Sequence, residues 1–347
     1  MEGGLLLRPV IIFSLLTFCA STNVMKFQVF EEQDEGTFVG DMSESRMVRT
    51  LSENKNLKGE LRFQFQGSLQ ASFKIDETTG IIRTAAKLDR ENLSLENDDD
   101  TFQIQVKVSK GPVMLPLPTE IKVLDVNDHS PIFAGKIENI SVSESAPLGA
   151  EFPVTVAEDT DIGNYSVESY EIVKRNDSDT FDLVLSKPTS EITKLKLVVS
   201  KRLDREINES FFLEIEARDG GSPRKVGRKG IRITVLDSND HIPKFSQNLY
   251  VGEVRENSPA GTLVLNVTAT DKDIGTNGEI SYSLNSRPQY KDLFSLDART
   301  GELRTKAILD YERFKDYQLE VTARDRGPDS IPTTSYVNVK VSACALS

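Results

Sequence analysis

Short acidic motifs are the residues of this sequence that are best suited to chemistry. Asp-x-Asp occurs at residues 159–161 and again at 271–273, and Asn-Asp-His occurs at 127–129 and 239–241. Hard cations such as calcium take about six to eight oxygen ligands from carboxylates, amide oxygens and backbone carbonyls. The motifs contain no cysteine, and histidine occurs only beside Asn-Asp, so the donor set does not favour zinc. We therefore predict calcium sites at these motifs.

The sequence also lacks the residue combinations that are typical of an enzyme active site. Its only histidines are His129 and His241, both inside the acidic motifs. No Ser-His-Asp set, Cys-His pair or glycine-rich phosphate loop is visible, and a carboxylate that ligates calcium cannot also serve as a general acid or base. The formal net charge of −12 also argues against a nucleic-acid partner, because binding to phosphates requires clustered Lys and Arg. We therefore expect a non-enzymatic protein without a nucleic-acid partner.

The acidic motifs belong to a long internal repeat. Leu-Asp-Arg-Glu occurs at residues 88–91 and 203–206, with the variant Leu-Asp-Tyr-Glu at 309–312. Several independent markers share one period of about 110 residues, which indicates tandem domains. A glutamate recurs with the same period in an early strand of each repeat, at Glu31, Glu144 and Glu256.

Alternating apolar and polar residues predict β-strands in every repeat, and no sustained helical periodicity is visible. The clearest segments are 102–108, 213–217, 231–235, 319–323 and 337–341. Turn signals at Thr79-Gly80 and Thr300-Gly301 separate shorter strands. Many short alternating strands of this kind predict an all-β protein built of antiparallel sandwiches. The proposed domain limits are 1–23 for a signal peptide and 24–131, 132–243 and 244–347 for three repeats.

The N-terminal segment predicts secretion. Arg8 precedes an apolar run from Val10 to Ala20, which is too short to cross a bilayer comfortably. No later stretch is long and apolar enough for a membrane span, so we expect an extracellular location for this chain. Removal of the signal would leave Cys344 as the remaining cysteine, which could form a disulfide between two chains. Six Asn-x-Ser/Thr sequons agree with a secreted glycoprotein: Asn92, Asn139, Asn164, Asn176, Asn208 and Asn266.

The motifs, taken in order, resemble those of the cadherin superfamily, and the overall pattern is similar to a protocadherin ectodomain. The resemblance implies three tandem seven-stranded Greek-key sandwiches joined by calcium-binding linkers, with about three Ca²⁺ ions in each complete junction. For the first junction it implies the side chains Glu31, Asp89, Glu91, Asn127, Asp128, Asp159, Asp161 and Asp219, with the carbonyls of Val126, His129 and Tyr165. For the second it implies Glu144, Asp204, Glu206, Asn239, Asp240, Asp271, Asp273 and Asp325, with the carbonyls of Ser238, His241 and Asn277.

Three departures from the family pattern refine this interpretation. The chain contains no tryptophan, which excludes adhesion by exchange of a tryptophan-bearing N-terminal strand. The stretch from Ser109 to Leu117 lacks the cysteine pair that protocadherins usually carry. After the last strand of the third repeat no Asp-x-Asn-Asp follows, which predicts a truncated isoform or fragment of a cell-surface parent.

The resemblance implies calcium-dependent, homophilic recognition between cells, with the same or a related cadherin chain as the partner in trans. Two alternatives stay open at this point. One is a soluble form that modulates or blocks full-length cadherin partners. The other is a secreted rod that binds a different ligand.

Overall fold

The computed structural model describes residues 24–66, 71–93, 100–175, 179–186 and 194–343. Strands make up 49% of the described residues and helix only 7%, so the all-β prediction is confirmed. The chain forms two compact units. One holds the described residues up to Ala134 together with Ala157–Tyr170 and Ala217–Arg228, and the other holds Gly135–Val156, Glu171–Glu216 and the described residues from Lys229 onward.

The first repeat forms a sandwich of two sheets, with the strand order β1-β7-β6-β3 in one and β2-β5-β4 in the other. Buried side chains from both sheets, such as Phe63 and Ile82, belong to one hydrophobic core. The seven strands are β1 Met25–Phe30, β2 Phe38–Asp41, β3 Leu61–Gln66, β4 Phe73–Ile75, β5 Ile81–Thr84, β6 Thr101–Lys110 and β7 Val113–Leu124.

The second repeat has sheets ordered β12-β15-β16-β9 and β10-β14-β13, and the two-residue strands β8 and β11 form a separate pair. Alternate residues of its long strands are buried, including Leu213, Ile215, Ile231 and Ile233. Its strands are β8 Ile132–Phe133, β9 Ile137–Ser143, β10 Glu151–Val154, β11 Ala157–Glu158, β12 Val167–Arg175, β13 Phe181–Ser186, β14 Lys194–Val199, β15 Ser210–Asp219 and β16 Val226–Leu236.

The third repeat has the same arrangement, with sheets ordered β18-β25-β24-β21 and β19-β23-β22 and the short pair β17-β20. Its core is rich in tyrosine, including Tyr282, Tyr290 and Tyr317. Its strands are β17 Lys244–Phe245, β18 Leu249–Arg255, β19 Leu263–Asn266, β20 Ala269–Thr270, β21 Ser281–Asn285, β22 Phe294–Leu296, β23 Glu302–Thr305, β24 Asp316–Arg324 and β25 Thr333–Ser342.

A parallel strand pair in each repeat determines where the early glutamate lies. β1 runs parallel to β7, so that Phe30 lies opposite Leu124, and the amide of the next residue, Glu31, donates to the Leu124 carbonyl at 3.0 Å. The corresponding bonds join Glu144 to Leu236 at 3.0 Å and Glu256 to Ser342 at 2.9 Å. Parallel pairing therefore brings each glutamate to the end of its repeat's last strand.

One helix was not indicated by the sequence pattern. α1 spans Arg46–Glu53 in the first repeat and buries Val48 and Leu51. Lys110, at the end of β6, donates through Nζ to the Ser52 carbonyl in the last turn of this helix at 2.6 Å. Short 3₁₀ helices occur at Met42–Glu44, Arg90–Asn92, Gly163–Tyr165 and Pro288–Tyr290.

Among the described residues, no helix combines the length and apolar character needed to cross a membrane. The proposed signal peptide at 1–23, the sequon residue Asn176 and the proposed disulfide residue Cys344 lie outside the described residues.

Candidate metal centres

Glu31 and Glu144 are the anchors of two similar acidic centres. Glu31 is fully buried, and its two carboxylate oxygens accept the amides of Val126 at 3.0 Å and Arg90 at 2.6 Å. Glu144 is held in the same way by Ser238 at 2.6 Å and by Arg205 at 2.8 Å. Each glutamate thus joins two motifs of its repeat, the Leu-Asp-Arg-Glu segment and the Asp-x-Asn-Asp segment.

The carboxylates converge around these anchors. At the first centre, within one compact unit, the potential ligand atoms of each of two groups lie within 4.8 Å of one another: Glu91, Asp128, His129 and Asp161, and Glu31, Glu91 and Asp125. The second centre lies within the other unit and repeats both groups: Glu206, Asp240, His241 and Asp273, and Glu144, Glu206 and Asp237. Acids that are far apart in sequence therefore share a small volume.

The Asp-x-Asp loops complete each centre from the next repeat. The Asp161 carboxylate is buried and accepts the His129 amide at 3.1 Å. Asp273 accepts the His241 amide at 3.2 Å. Each loop turns at a glycine, Gly163 with φ 63° and Gly275 with φ 59°, a conformation that residues with a side chain rarely adopt.

The remaining oxygens come from an asparagine and a late aspartate. Asp219 is buried and accepts the amides of Gly221 at 3.0 Å and Lys225 at 2.9 Å through one oxygen only. Asn127 donates its Nδ2 to the Pro223 carbonyl at 3.1 Å. The second carboxylate oxygen of Asp219 and the single side-chain oxygen of Asn127 are left without a hydrogen-bond partner.

Unpartnered buried oxygens test whether these centres suit a cation. Nine buried side-chain atoms of the described residues make no hydrogen bond, and eight of them lie in the two centres. They are Glu91 Oε2, Asn127 Oδ1, Asp159 Oδ2 and Asp219 Oδ2 at the first centre, and Glu206 Oε2, Asn239 Oδ1, Asp271 Oδ2 and Asp325 Oδ2 at the second. Leaving such atoms unpaired costs about 1–3 kcal/mol each, and more when the group is charged. The donor atoms fit a hard, oxygen-binding cation such as calcium.

The electrostatics of the centres point the same way. Burial raises the pKa of Glu31 to about 7, and the charges of Glu91 and Asp128 contribute to the rise. Burial likewise raises the pKa of Asp161 to about 6, with a contribution from Asp159. Burial also raises the pKa values of Glu206 and Asp273 at the second centre. Carboxylates crowded in this way are stabilised in their ionised form when a cation neutralises them.

The two histidines lie beside these carboxylates, which raise the pKa values of both rings. Burial lowers the pKa of His129, but its hydrogen bond to Asp128 and the surrounding carboxylates outweigh burial and hold the pKa above its usual value. The His129 Nδ1 atom lies 2.7 Å from Asp128 Oδ1 and 3.2 Å from Asp161 Oδ1. His241 stands in the same relation to Asp240 and Asp273, at 2.9 Å from each.

The predicted ligands differ in how closely the structure groups them. Glu31, Glu91, Asp128 and Asp161 lie in the close groups, and so do their counterparts Glu144, Glu206, Asp240 and Asp273. Asn127, Asp159 and Asp219 present unpartnered buried oxygens, as do Asn239, Asp271 and Asp325. Asp89 and Asp204 belong to neither set. Asp89 accepts the Asn92 amide at 3.1 Å and Asn92 Nδ2 at 2.6 Å, whereas Asp204 accepts the Ile207 amide at 3.0 Å.

Sequence reasoning missed two carboxylates, Asp125 and Asp237. Each is the first residue of an Asp-x-Asn-Asp motif, and each lies in a close group with the two glutamates of its centre. Their recurrence in a repeated motif was the available signal. A third, smaller group joins Glu256, Asp310 and Glu312 in the third repeat.

Comparison with known proteins assigns the family. The model of the cadherin domain matches residues 138–236 and 250–342, and a cadherin-like model matches 24–110. Protocadherin-12 of Mus musculus is 36% identical over 324 residues, which cover 92% of this chain and 27% of that protein. Protocadherin-18 of Bos taurus is 34% identical over 337 residues, 95% of this chain and 29% of that protein. The chain thus spans less than a third of the length of these relatives.

Solved structures agree with this assignment. Mouse clustered PcdhgC3 EC1-3 superposes with a TM-score of 0.79 at 33% identity and covers 92% of this chain and 99% of that chain. Protocadherin Gamma C5 EC1-3 gives a TM-score of 0.75 at 31% identity, covering 91% of this chain and all of that chain. The chain belongs to the cadherin superfamily and is homologous to protocadherins, which are adhesion proteins and not enzymes. Cadherin domains bind calcium at their linkers, where this chain has its acidic centres.

Proposed function

We propose that the two acidic centres bind about three calcium ions each, the number that the resemblance to the cadherin superfamily implies. The proposed ligands are the side chains and carbonyls predicted from the sequence, with Asp125 and Asp237 added. Eight buried oxygens without hydrogen-bond partners at these centres carry the proposal. Bound calcium would supply positive charge to the crowded carboxylates, while Glu31, Glu144 and the two Asp-x-Asp loops position the ligand oxygens.

We further propose that the chain acts outside the cell in calcium-dependent cell–cell adhesion, with the same or a related cadherin chain as its partner in trans. Homology to protocadherins over more than nine-tenths of the chain supports this function. Exposed sequon asparagines at Asn139, Asn208 and Asn266 are compatible with an extracellular glycoprotein.

Aggregation of protein-coated beads tests adhesion. Beads carrying the chain are expected to cluster in millimolar calcium and to disperse when a chelator is added. Asp271→Asn combined with Asp273→Asn should abolish clustering, whereas Asp316→Asn, at an exposed position of β24, should leave it unchanged. Beads that stay dispersed in calcium would contradict self-adhesion by this chain.

If the beads stay dispersed, a second measurement distinguishes between the two remaining functions. If the chain inhibits clustering of cells that carry a related cadherin, it modulates such partners and does not self-adhere. If it neither clusters nor inhibits, a secreted module with a different ligand becomes the better explanation.

Calcium dependence is tested separately by limited proteolysis, because equal digestion rates with calcium and with chelator would contradict metal binding itself.

A further inference from the structure

A buried arginine lies in the middle of each acidic centre. At the first centre the Arg90 side chain is only 8% exposed. Its Nε donates to Asp125 Oδ1 at 2.7 Å, and its Nη2 donates to the Thr160 carbonyl at 2.7 Å and to Glu91. Thr160 is the middle residue of the Asp-x-Asp loop, so the guanidinium connects two motifs of the first repeat to the loop of the second.

Asp125 contacts the same loop on its other side. Its second oxygen, Oδ2, accepts the amide of Ile162, the residue that follows Asp-x-Asp, at 2.8 Å. The loop backbone is therefore fixed at two points, the Thr160 carbonyl and the Ile162 amide, on either side of Asp161. Because neither contact uses an unpartnered oxygen of the centre, both are available before any cation binds.

The second centre repeats every one of these contacts. Arg205, 7% exposed, donates through Nε to Asp237 Oδ1 at 2.6 Å and through Nη2 to the Lys272 carbonyl at 3.1 Å and to Glu206. Asp237 Oδ2 accepts the Ile274 amide at 3.2 Å. Both copies of the repeated motifs therefore form the same set of contacts.

We propose that Arg90 and Arg205 are positioning residues that hold the Asp-x-Asp loop of the following repeat in its calcium-binding conformation before calcium arrives. This inference rests on the proposed calcium function and deepens it. A guanidinium suits the task because it is planar, permanently charged and donates in several fixed directions. The third repeat has Tyr311 at the equivalent position, whose single hydroxyl cannot form the same set of bonds.

Charge and geometry make opposite predictions, which allows a decisive test. An arginine among calcium ligands repels the cation, so on charge alone its removal should strengthen calcium binding. If the arginine positions the loop, its removal should weaken binding, because residues that orient metal ligands are worth about 10–100-fold in affinity. The direction of the change therefore separates the two effects.

Hydrogen exchange during a calcium titration reads each loop separately. In Arg205→Met, we expect the calcium midpoint for protection of residues 271–275 to rise about tenfold, with residues 159–163 unchanged as the internal control. Arg205→Lys keeps the positive charge but loses the planar guanidinium with its several fixed donors, and we expect a similar rise in the calcium midpoint. Arg202→Met removes an exposed positive charge from the segment that carries Arg205 but none of the contacts described above, so it should leave the midpoint unchanged or lower it.

A second readout needs no calcium. In chelator, the loop at 271–275 should exchange faster in Arg205→Met than in wild type, and Arg202→Met should match wild type. An unchanged or lowered calcium midpoint in Arg205→Met, or full rescue by Arg205→Lys, would overturn the proposal. If the wild-type loops gain no protection from calcium, the proposed metal function fails instead.

A folding defect in one variant leaves the proposal testable. If strands β15 and β16 lose protection in Arg205→Met, the comparison moves to Arg205→Lys and to Arg90→Met at the first centre, with residues 159–163 as the reporter and 271–275 as the control. The same tenfold rise is expected there, and an unchanged midpoint contradicts the inference.

Discussion

Asn127 and Asn239 illustrate how a single hydrogen bond prepares a ligand oxygen. Asn239 donates its Nδ2 to the Pro328 carbonyl at 2.7 Å and to Asp325 at 3.1 Å, which leaves its Oδ1 buried and unpartnered. A glycine makes room for this amide. A β-carbon on Gly327 would come within 2.5 Å of Asn277 Oδ1 and 2.8 Å of the Asn239 amide, and one on Gly221 would come within 1.8 Å of the Asn127 nitrogen.

Gly327→Ala should therefore impair the second centre without removing any ligand. We expect the added methyl group to displace the Asn239 amide and to weaken calcium binding at that centre about tenfold. Isothermal titration calorimetry measures the change. Arg326→Ala, at the neighbouring residue, which pairs with Glu279, serves as the control and should bind calcium as wild type does. Equal affinities for the two variants would contradict the steric argument.

Protons should compete with calcium at the first centre. Since burial raises the pKa of Glu31 to about 7 and that of Asp161 to about 6, these groups are partly protonated near neutral pH when no metal is bound. Calcium requires the ionised forms, so binding at pH 7 should release about half a proton from Glu31, and affinity should fall as the pH decreases from about 7 to 5.

Calorimetry in two buffers with different ionisation enthalpies measures the released protons. The apparent binding heat should differ between the buffers at pH 7, and the difference should shrink at pH 8.5, a condition chosen because Glu31 is ionised there. Asp316→Asn, which removes an exposed acid from β24, should leave the difference intact. Identical heats in both buffers at pH 7 would show that no carboxylate of the centre is protonated before binding.

An aromatic pair between the two sheets recurs in every repeat and supports the strands that carry the acids. The rings pack edge to face, and their centroids are 5.1 Å apart in Phe73–Phe102, 5.2 Å in Phe181–Phe211 and 5.3 Å in Phe294–Tyr317. In each case a short strand of one sheet meets the first half of a long strand of the other. Because each pair packs one sheet of its repeat against the other, we expect the pairs to matter for stability.

Phe181→Ala should destabilise the second repeat by about 3–5 kcal/mol, the usual cost of removing a buried aromatic side chain. Val184→Ala on the same strand is the control, because Val184 is 43% exposed and should cost far less. Urea unfolding of both variants in saturating calcium measures the difference. Similar losses of stability in the two variants would argue that the pair does not anchor the core.

Repetition is why so much of this fold was predictable. The strands at 102–108, 213–217 and 337–341 follow from strict alternation, and the Thr79-Gly80 turn joins β4 to β5, with Gly80 at φ 78°. The acidic motifs of both centres could be identified because they recur in the same order in successive repeats. One copy of a short acidic motif would have carried little information.

Other features depend on three-dimensional packing and could not be predicted. Helix α1 is only eight residues long and is stabilised by burying Val48 and Leu51, so its periodic signal is too short to detect. The positions of Asp125 and Arg90 follow from strand pairing that brings residues 35 apart in sequence within hydrogen-bonding distance. A motif gives residue identities, but only the folded chain shows which oxygens have no partner.

Charge balance connects the two centres to the whole chain, whose formal net charge is −12. Each centre collects carboxylates from two repeats, and its buried arginine offsets only one of those negative charges. Three calcium ions per centre would supply +6, close to the remaining negative charge of the side chains assigned to it. The third group, Glu256, Asp310 and Glu312, is different, because it contributes none of the unpartnered buried oxygens found among the described residues.

The chain should therefore bind about six calcium ions at about 2 mM free calcium, where extracellular modules of this kind are occupied. Equilibrium dialysis counts them. Asp310→Asn combined with Glu312→Gln should leave the count at about six, because three carboxylates with few buried oxygens cannot replace a full calcium shell of about six to eight ligands. Asp271→Asn combined with Asp273→Asn should lower the count by two to three. A count clearly above six that falls only in the Asp310/Glu312 variant would mean that the third group binds calcium on its own.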